Sequence, residues 1–255
     1  LPIFLSKNIT HKNRYLAGSD RDKIKELESF FLNPDIKLII CARGGYGAIR
    51  LINKINYKIA KLYPKPVCGF SDATAILLML YKKAGLITYH APMACTDFAV
   101  TDNKISEFTL KNFFETLNAK ILKYNGDKTY QIGSAKGIIW GGNLSTVASL
   151  CGINFIPNND FIFFTEDVNE PVYKIDRMFQ QLFNIKKFKK FCKGIVLGEF
   201  TNVDSDSWLE EYFYELGKKL KIPVISGFKI THNDDKITIP IGKNAEISGK
   251  TLIIK

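Results

Sequence analysis

The segment Val67-Cys68-Gly69-Phe70-Ser71-Asp72-Ala73-Thr74 constrains this chain more than any other. A short apolar run, Pro66-Val67-Cys68, reads as the end of a buried strand, and a helical stretch follows at once from Asp72 to Ala84. Strand, sharp turn around a central serine, then helix is the build of a nucleophile elbow. Such a turn leaves no room for large neighbours, and Gly69 and Ala73 flank Ser71 at two positions on either side. The spacing is G-x-S-x-A rather than G-x-S-x-G. On its own it also describes a serine that merely caps a buried helix.

A chain of 255 residues is too long for one small core and suits two modest domains. Apolar residues make up 46% of it, which is ordinary for a globular protein. The longest apolar run, Ala75 to Tyr81, is far short of the ~20 residues that span a bilayer, so no membrane segment is expected. No stretch combines a basic start, an apolar centre and a small-residue cleavage site.

The five cysteines, at 41, 68, 95, 151 and 192, are odd in number, widely spaced and mostly in apolar runs. Free thiols in a reducing, cytoplasmic compartment are expected, not a disulfide framework. There is no Cys-x-x-Cys or His-x-x-x-His spacing, so no structural metal is expected. The net charge of +11 invites a nucleic-acid reading. Arginine, however, occurs only at 14, 21, 43, 50 and 177, so the excess is nearly all scattered lysine, which looks like compositional bias. The one dense run, Lys186-Lys187-Phe188-Lys189-Lys190, reads as a solvated helix end. No specific nucleic-acid partner is expected.

Residues 1–115 alternate helix and strand signals. A helix is expected over Asp20–Phe31, a strand over Leu38–Ala42, a glycine turn at Arg43-Gly44-Gly45-Tyr46-Gly47 and a helix over Ala48–Ile55. The elbow and its helix follow, then a strand at Leu86–Tyr89. Apolar strands without polar alternation, separated by helices, predict a parallel sheet covered on both faces. Residues 116–136 are mixed and polar, with a turn signal at Asn125-Gly126-Asp127, and read as a linker. Beyond them, in 137–255, strands are expected at 137–140, 161–165, 194–197, 237–241 and 251–254, with helices at 171–183 and 208–220.

A serine nucleophile needs a base, and the histidines are His11, His90 and His232. His11 lies in a polar stretch and is the poorest candidate. His90 follows the strand after the elbow helix, and His232 lies between two apolar strands; either can reach a site from its loop. A third group must orient the base. Glu166 ends the apolar strand Phe161-Ile162-Phe163-Phe164-Thr165, at the sheet end where α/β sites gather; Asp167 and Glu170 are close rivals. The order Ser71…Glu166…His232 is the Ser…acid…His order of α/β-hydrolases. The amides of the 43–47 turn can receive an anion or oxyanion, but it lacks the spacing and lysine of a nucleotide loop.

Together these blocks resemble the serine LD-carboxypeptidases, the family that also contains the microcin C self-immunity peptidases. The resemblance is carried by Cys41-Ala42-Arg43-Gly44-Gly45-Tyr46-Gly47-Ala48, Gly69-Phe70-Ser71-Asp72-Ala73-Thr74, His90-Ala91-Pro92-Met93 and Gly141-Gly142-Asn143-Leu144. Glu166-Asp167-Val168-Asn169-Glu170-Pro171, Tyr173-Lys174-Ile175-Asp176-Arg177, and His232 with Ile239-Pro240-Ile241-Gly242 complete it. The resemblance implies an N-terminal α/β domain like that of class I glutamine amidotransferases, joined to a C-terminal swivelling β/α domain, with the site between them. It implies a triad of Ser71, Glu166 and His232, an oxyanion hole from the amides of Gly45 and Asp72, no metal or organic cofactor, and a homodimer. Most of the strand and helix that usually precede the region matching Leu16–Asp20 is absent here, so an exposed sheet edge is expected.

The activity implied is release of the terminal D-alanine from murein tetrapeptides in peptidoglycan recycling. The D-alanine carboxylate then needs a cationic or N–H partner, and Arg43 is the candidate for it. Two other readings compete. One keeps the enzyme class and changes the substrate to a peptidyl-nucleotide antibiotic. The other is a non-enzymatic anion-binding module, suggested by the lysine excess and the glycine turn.

Overall fold

Residues 2–98 and 106–255 are described by the structure, a computed structural model. Helix α1 (Asp20–Leu32) begins at Ser19, whose hydroxyl accepts from the Asp22 amide at 3.1 Å, with Asp20 and Asp22 in its first turn. It stops short of Pro34, which pushes Asn33 to an extended conformation. Strand β1 (Ile39–Ile40) runs into the glycine turn. The helix expected over Ala48–Ile55 is only a short 3-10 turn, Ala48–Arg50. The reason is Asn56, whose side chain accepts from the Lys58 amide at 3.1 Å and starts a separate helix, α2 (Tyr57–Leu62).

Strand β2 (Val67–Gly69) is wholly buried and turns at Ser71–Ala73 into α3 (Thr74–Ala84). Gly85, at φ 73°, closes that helix in the left-handed region that glycine occupies without penalty. Then come β3 (Thr88–His90), a turn at Ala94–Phe98, and α4 (Glu107–Asn118), capped by the Ser106 hydroxyl.

The segment 116–136, read as a linker from its polar mix, contains strands β4 (Leu122–Asn125) and β5 (Lys128–Gln131), and α4 runs across residue 115. Both strands sit at the two ends of the larger sheet, where one side faces no neighbouring strand and polar residues are tolerated. The chain continues through β6 (Ser134–Asn143), α5 (Leu144–Ser149), β7 (Phe161–Val168), α6 (Val172–Phe183), α7 (Lys186–Phe191) and β8 (Cys192–Thr201). It ends with α8 (Asp206–Leu220), β9 (Val224–Ser226), β10 (Ile239–Ile241), β11 (Asn244–Ser248) and β12 (Thr251–Ile254). The lysine run forms α7 itself, with Phe188 buried beneath it against Phe161 and Phe163.

Two sheets result. The smaller has the order β1-β2-β3-β10, its first three strands parallel and β10 antiparallel to β3. The larger has the order β4-β12-β11-β6-β7-β8-β9-β5, parallel from β6 to β9 and antiparallel outside that centre. Its middle strand β7 is buried on both faces, which is why it reads as an unbroken apolar run. The chain is thus a mixed α/β protein. The C-terminal half supplies β10 to the smaller sheet, so the sheets are not two consecutive stretches of sequence.

The Gly141-Gly142-Asn143 motif joins the sheets. A Cβ at Gly142 would stand 2.6 Å from Thr74 Cγ2, so only glycine lets the first turn of α3 sit on the end of β6. The Thr74 hydroxyl then accepts from the Asn143 amide at 3.3 Å. This close approach brings the serine turn of one sheet to the strand ends of the other.

Candidate active site

Ser71 has φ 58°, a left-handed conformation that a serine adopts only where its surroundings impose it. The surroundings are visible. A Cβ at Gly69 would lie 2.9 Å from Cys41 Sγ and 3.0 Å from Ala73 Cβ, so the turn requires the small residues on which the sequence reading rested. A Cβ at Gly44 would lie 3.0 Å from both Cβ and Oγ of Ser71. The glycine turn is therefore packed directly on the serine, with Gly44 its nearest point. The Asp72 carboxylate accepts from the Ala48 amide at 2.9 Å and locks the two turns together. Burial raises the Asp72 pKa, and the amides of Ala48 and Gly47 oppose that rise. Among the described residues the amides of Gly45 and Asp72 meet no acceptor, which leaves both donors available.

Glu166 is fully buried at the end of β7, where the pairing of β7 with β8 shifts register between Thr165 and Asp167. Such an irregularity re-aims a side chain, and it turns Glu166 toward the loop after β9. Its Oε2 lies 2.7 Å from Nδ1 of His232. Burial pushes the Glu166 pKa up, and His232 holds it back. Gly198 makes room for this approach: a Cβ there would stand 2.2 Å from the Ile230 carbonyl oxygen and 3.1 Å from Glu166 Cβ. The imidazole then packs edge-on against Phe70, the residue before Ser71, at 4.9 Å between ring centroids. Sequence reading had no signal for Phe70 as the surface on which the imidazole rests.

The rivals of Glu166 are committed elsewhere. Asp167 accepts from Asn143 Nδ2 and from the Ser145 amide, each at 2.8 Å, and so fixes the start of α5. Glu170 pairs with Lys174 at 3.2 Å. His11 is exposed in the N-terminal stretch. Arg43 is exposed beside the glycine turn and pairs with no carboxylate among the described residues.

His90 is buried between Phe70 and Phe164, and its Nδ1 has no partner among the described residues. Burial, with His232 and Lys236 nearby, pushes its pKa down to about 3 from 6.5. A base that cannot hold a proton at neutral pH is a poor general base. Its depressed pKa has a consequence for stability. The unfolded chain takes up a proton as pH falls through 6.5, while the folded chain resists until about 3. Stability from this source is complete above 6.5 and drains away across that window. The His90→Leu variant is therefore expected to show a flatter fall of Tm between pH 7 and 4, sparing roughly 3 kcal/mol of acid destabilisation. Parallel Tm–pH curves for the two proteins would refute this.

Among the described residues no group of three or more His, Cys, Asp or Glu is placed to hold a metal ion, and no helix is long and apolar enough to cross a membrane.

A serine forced into the left-handed region between strand and helix, with an imidazole–carboxylate pair against its neighbour, is the layout of serine hydrolases. Comparison with known proteins narrows that class. The profile described as the LD-carboxypeptidase N-terminal domain matches residues 1–91, and that of the LD-carboxypeptidase C-terminal domain matches residues 136–247. The chain belongs to the LD-carboxypeptidase family. It is 30% identical to a probable murein peptide carboxypeptidase of Bacillus subtilis, over 100% of this chain and 83% of that protein. It is 27% identical to the microcin C7 self-immunity protein MccF of Escherichia coli, over 89% of this chain and 76% of that one. Among solved structures, muramoyltetrapeptide carboxypeptidase from Oxalobacter formigenes superposes with a TM-score of 0.86 at 30% identity, covering 95% of this chain and 87% of the other.

Proposed function

We propose that the protein is a serine LD-carboxypeptidase that releases the terminal D-alanine from murein tetrapeptides. The observation that carries this reading is the 2.7 Å contact of buried Glu166 with His232, set against the elbow of Ser71 in a chain of this family. Ser71 Oγ attacks the carbonyl of the residue before the D-alanine, and His232 takes the hydroxyl proton. Glu166 holds the Nδ1–H tautomer and stabilises the imidazolium. The amides of Gly45 and Asp72 receive the oxyanion, a contribution of roughly 3–4 kcal/mol per donor in other serine hydrolases. His232 then protonates the leaving amine, and water, deprotonated by the same imidazole, releases the acyl group from Ser71. Exposed Arg43 receives the D-alanine carboxylate as a charge-assisted pair. The same reading puts the enzyme in the cytoplasm as a homodimer, with Ser71 carried by the smaller sheet and Glu166 by the larger one.

Mass spectrometry of a murein-fragment mixture, before and after incubation, tests bond and substrate together. Tetrapeptides are expected to lose one alanine. An unchanged mixture, or cleavage at another bond, rejects the proposal. The relation to MccF supports a second reading, hydrolysis of a peptidyl-nucleotide. Faster turnover of an aminoacyl sulfamoyl nucleoside than of tetrapeptide selects it. The base is tested separately: His90→Leu is expected to keep kcat within about tenfold, whereas His232→Ala loses it.

A further inference from the structure

We infer that Lys236 and Asp97 form a buried brace that holds the imidazole, the elbow and the glycine turn in one arrangement. Their ammonium and carboxylate are paired, and the side chains are only 5% and 8% exposed. Lysine is almost never buried so deeply unless paired. The inference rests on the Ser71–Glu166–His232 reading. Neither residue touches the reacting atoms, so both are positioning residues.

The pair reaches the site from two directions. The Lys236 ammonium stands 4.5 Å from the centroid of the Phe70 ring, within the range of cation–π attraction. That ring carries His232 on its edge at 4.9 Å and His90 at 5.7 Å. On the other side, Asp97 accepts from the Met93 amide and from the Thr96 hydroxyl, each at 2.8 Å, and so closes the turn after β3. That turn is stitched to the chain entering the glycine turn: the amides of Ala94 and Cys95 donate to the carbonyls of Cys41 and Ala42 at 3.0 and 2.8 Å. Met93 Cε also lies 3.7 Å from where a Gly44 Cβ would be.

Lys236 itself is anchored. Its amide donates to the Thr109 hydroxyl on α4 at 2.8 Å, and that hydroxyl donates to the Asp234 carbonyl at 2.6 Å. One ion pair thus joins three pieces that are far apart in sequence: the loop bearing His232, the residue before Ser71, and the turn with the oxyanion amides. A buried ion pair seldom stabilises a fold more than well-packed apolar residues of similar volume. What the pair supplies here is direction. It fixes Phe70, and through Phe70 the plane of the imidazole.

The test is steady-state kinetics on a purified murein tetrapeptide. The double variant Lys236→Met/Asp97→Asn removes both charges without leaving one buried alone. It is expected to lower kcat by about 30- to 100-fold, the scale of a small misplacement of reacting groups. KM is expected to change by less than about threefold. Lys236→Arg, which keeps the charge, is expected to hold kcat within about tenfold of wild type. Phe70→Leu leaves the ion pair intact and removes the ring between it and His232. It is expected to lower kcat with KM held, and it serves if the double variant does not fold. Wild-type kcat in either the double variant or Phe70→Leu, or a loss carried wholly by KM, overturns the brace. If Ser71→Ala retains turnover, it is the catalytic reading that fails, and the brace falls with it. If Ser71→Ala is inactive while the brace variants work normally, only the brace is rejected.

Discussion

Ser71→Ala is expected to lower kcat for D-alanine release by a factor of about 10^4–10^6, with the fold intact. The size follows from the unit nature of a nucleophile, base and orienting acid: without the hydroxyl there is no acyl-enzyme, and the other two groups have nothing to act on. The intact fold follows from the environment of Ser71. Its hydroxyl makes no hydrogen bond among the described residues, so its removal orphans no partner. Alanine has the same difficulty at φ 58° as serine, so the strain neither grows nor falls. Glycine has no such difficulty. Ser71→Gly is therefore expected to be inactive and yet to gain about 1 kcal/mol of stability, the strain that the elbow stores. Turnover of tetrapeptide and thermal unfolding of the three proteins check both halves. An alanine variant with full activity ends the assignment of Ser71.

Glu166→Gln is expected to lower kcat by about 10^4 while leaving Tm at pH 7 unchanged or higher. The loss arises because an amide NH2 facing Nδ1 favours the wrong tautomer, and a neutral amide does not stabilise the imidazolium. The unchanged Tm follows from burial. Glu166 is fully buried, its Oε1 meets no partner among the described residues, and burial raises its pKa. A carboxyl whose folded pKa is raised loses stability as pH climbs from the unfolded pKa near 4.5 to the folded one, and carries no such cost below 4.5. The glutamine variant lacks this cost. The gap in Tm between variant and wild type is expected to be greatest at neutral pH and to close in acid. A variant with kcat within tenfold of wild type would remove Glu166 from the mechanism.

How much of this was legible in the sequence depends on the range of the contacts. The elbow was legible because its demands are local: Gly69, Ser71 and Ala73 lie within one turn, and the strand and helix on either side are apolar runs of the right length. The buried strand ending near Glu166 was legible for the same reason. The preference for Glu166 over Asp167 and Glu170 came only from the family resemblance, because the features that separate them are non-local: a register shift between β7 and β8, and Asn143, from another strand, claiming Asp167. The helix expected over Ala48–Ile55 failed because the cap at Asn56 begins a new element. The strands of 122–131 were missed because edge strands carry little apolar pattern. Lys236 was invisible. In a lysine-rich chain it looked like any other surface cation, and its partner Asp97 lies 139 residues away.

The return of β10 to the smaller sheet bears on how the molecule comes into being. Residues 239–241 pair with residues 88–90, so β3 lacks one neighbour until residues 91–241 have all been made. Pairing across so long a stretch closes slowly. The serine segment therefore waits for β10 and for the loop bearing His232 just ahead of it. A chain that stops anywhere between residues 91 and 231 lacks both β10 and His232, so on the proposed mechanism such a fragment is expected to be inert.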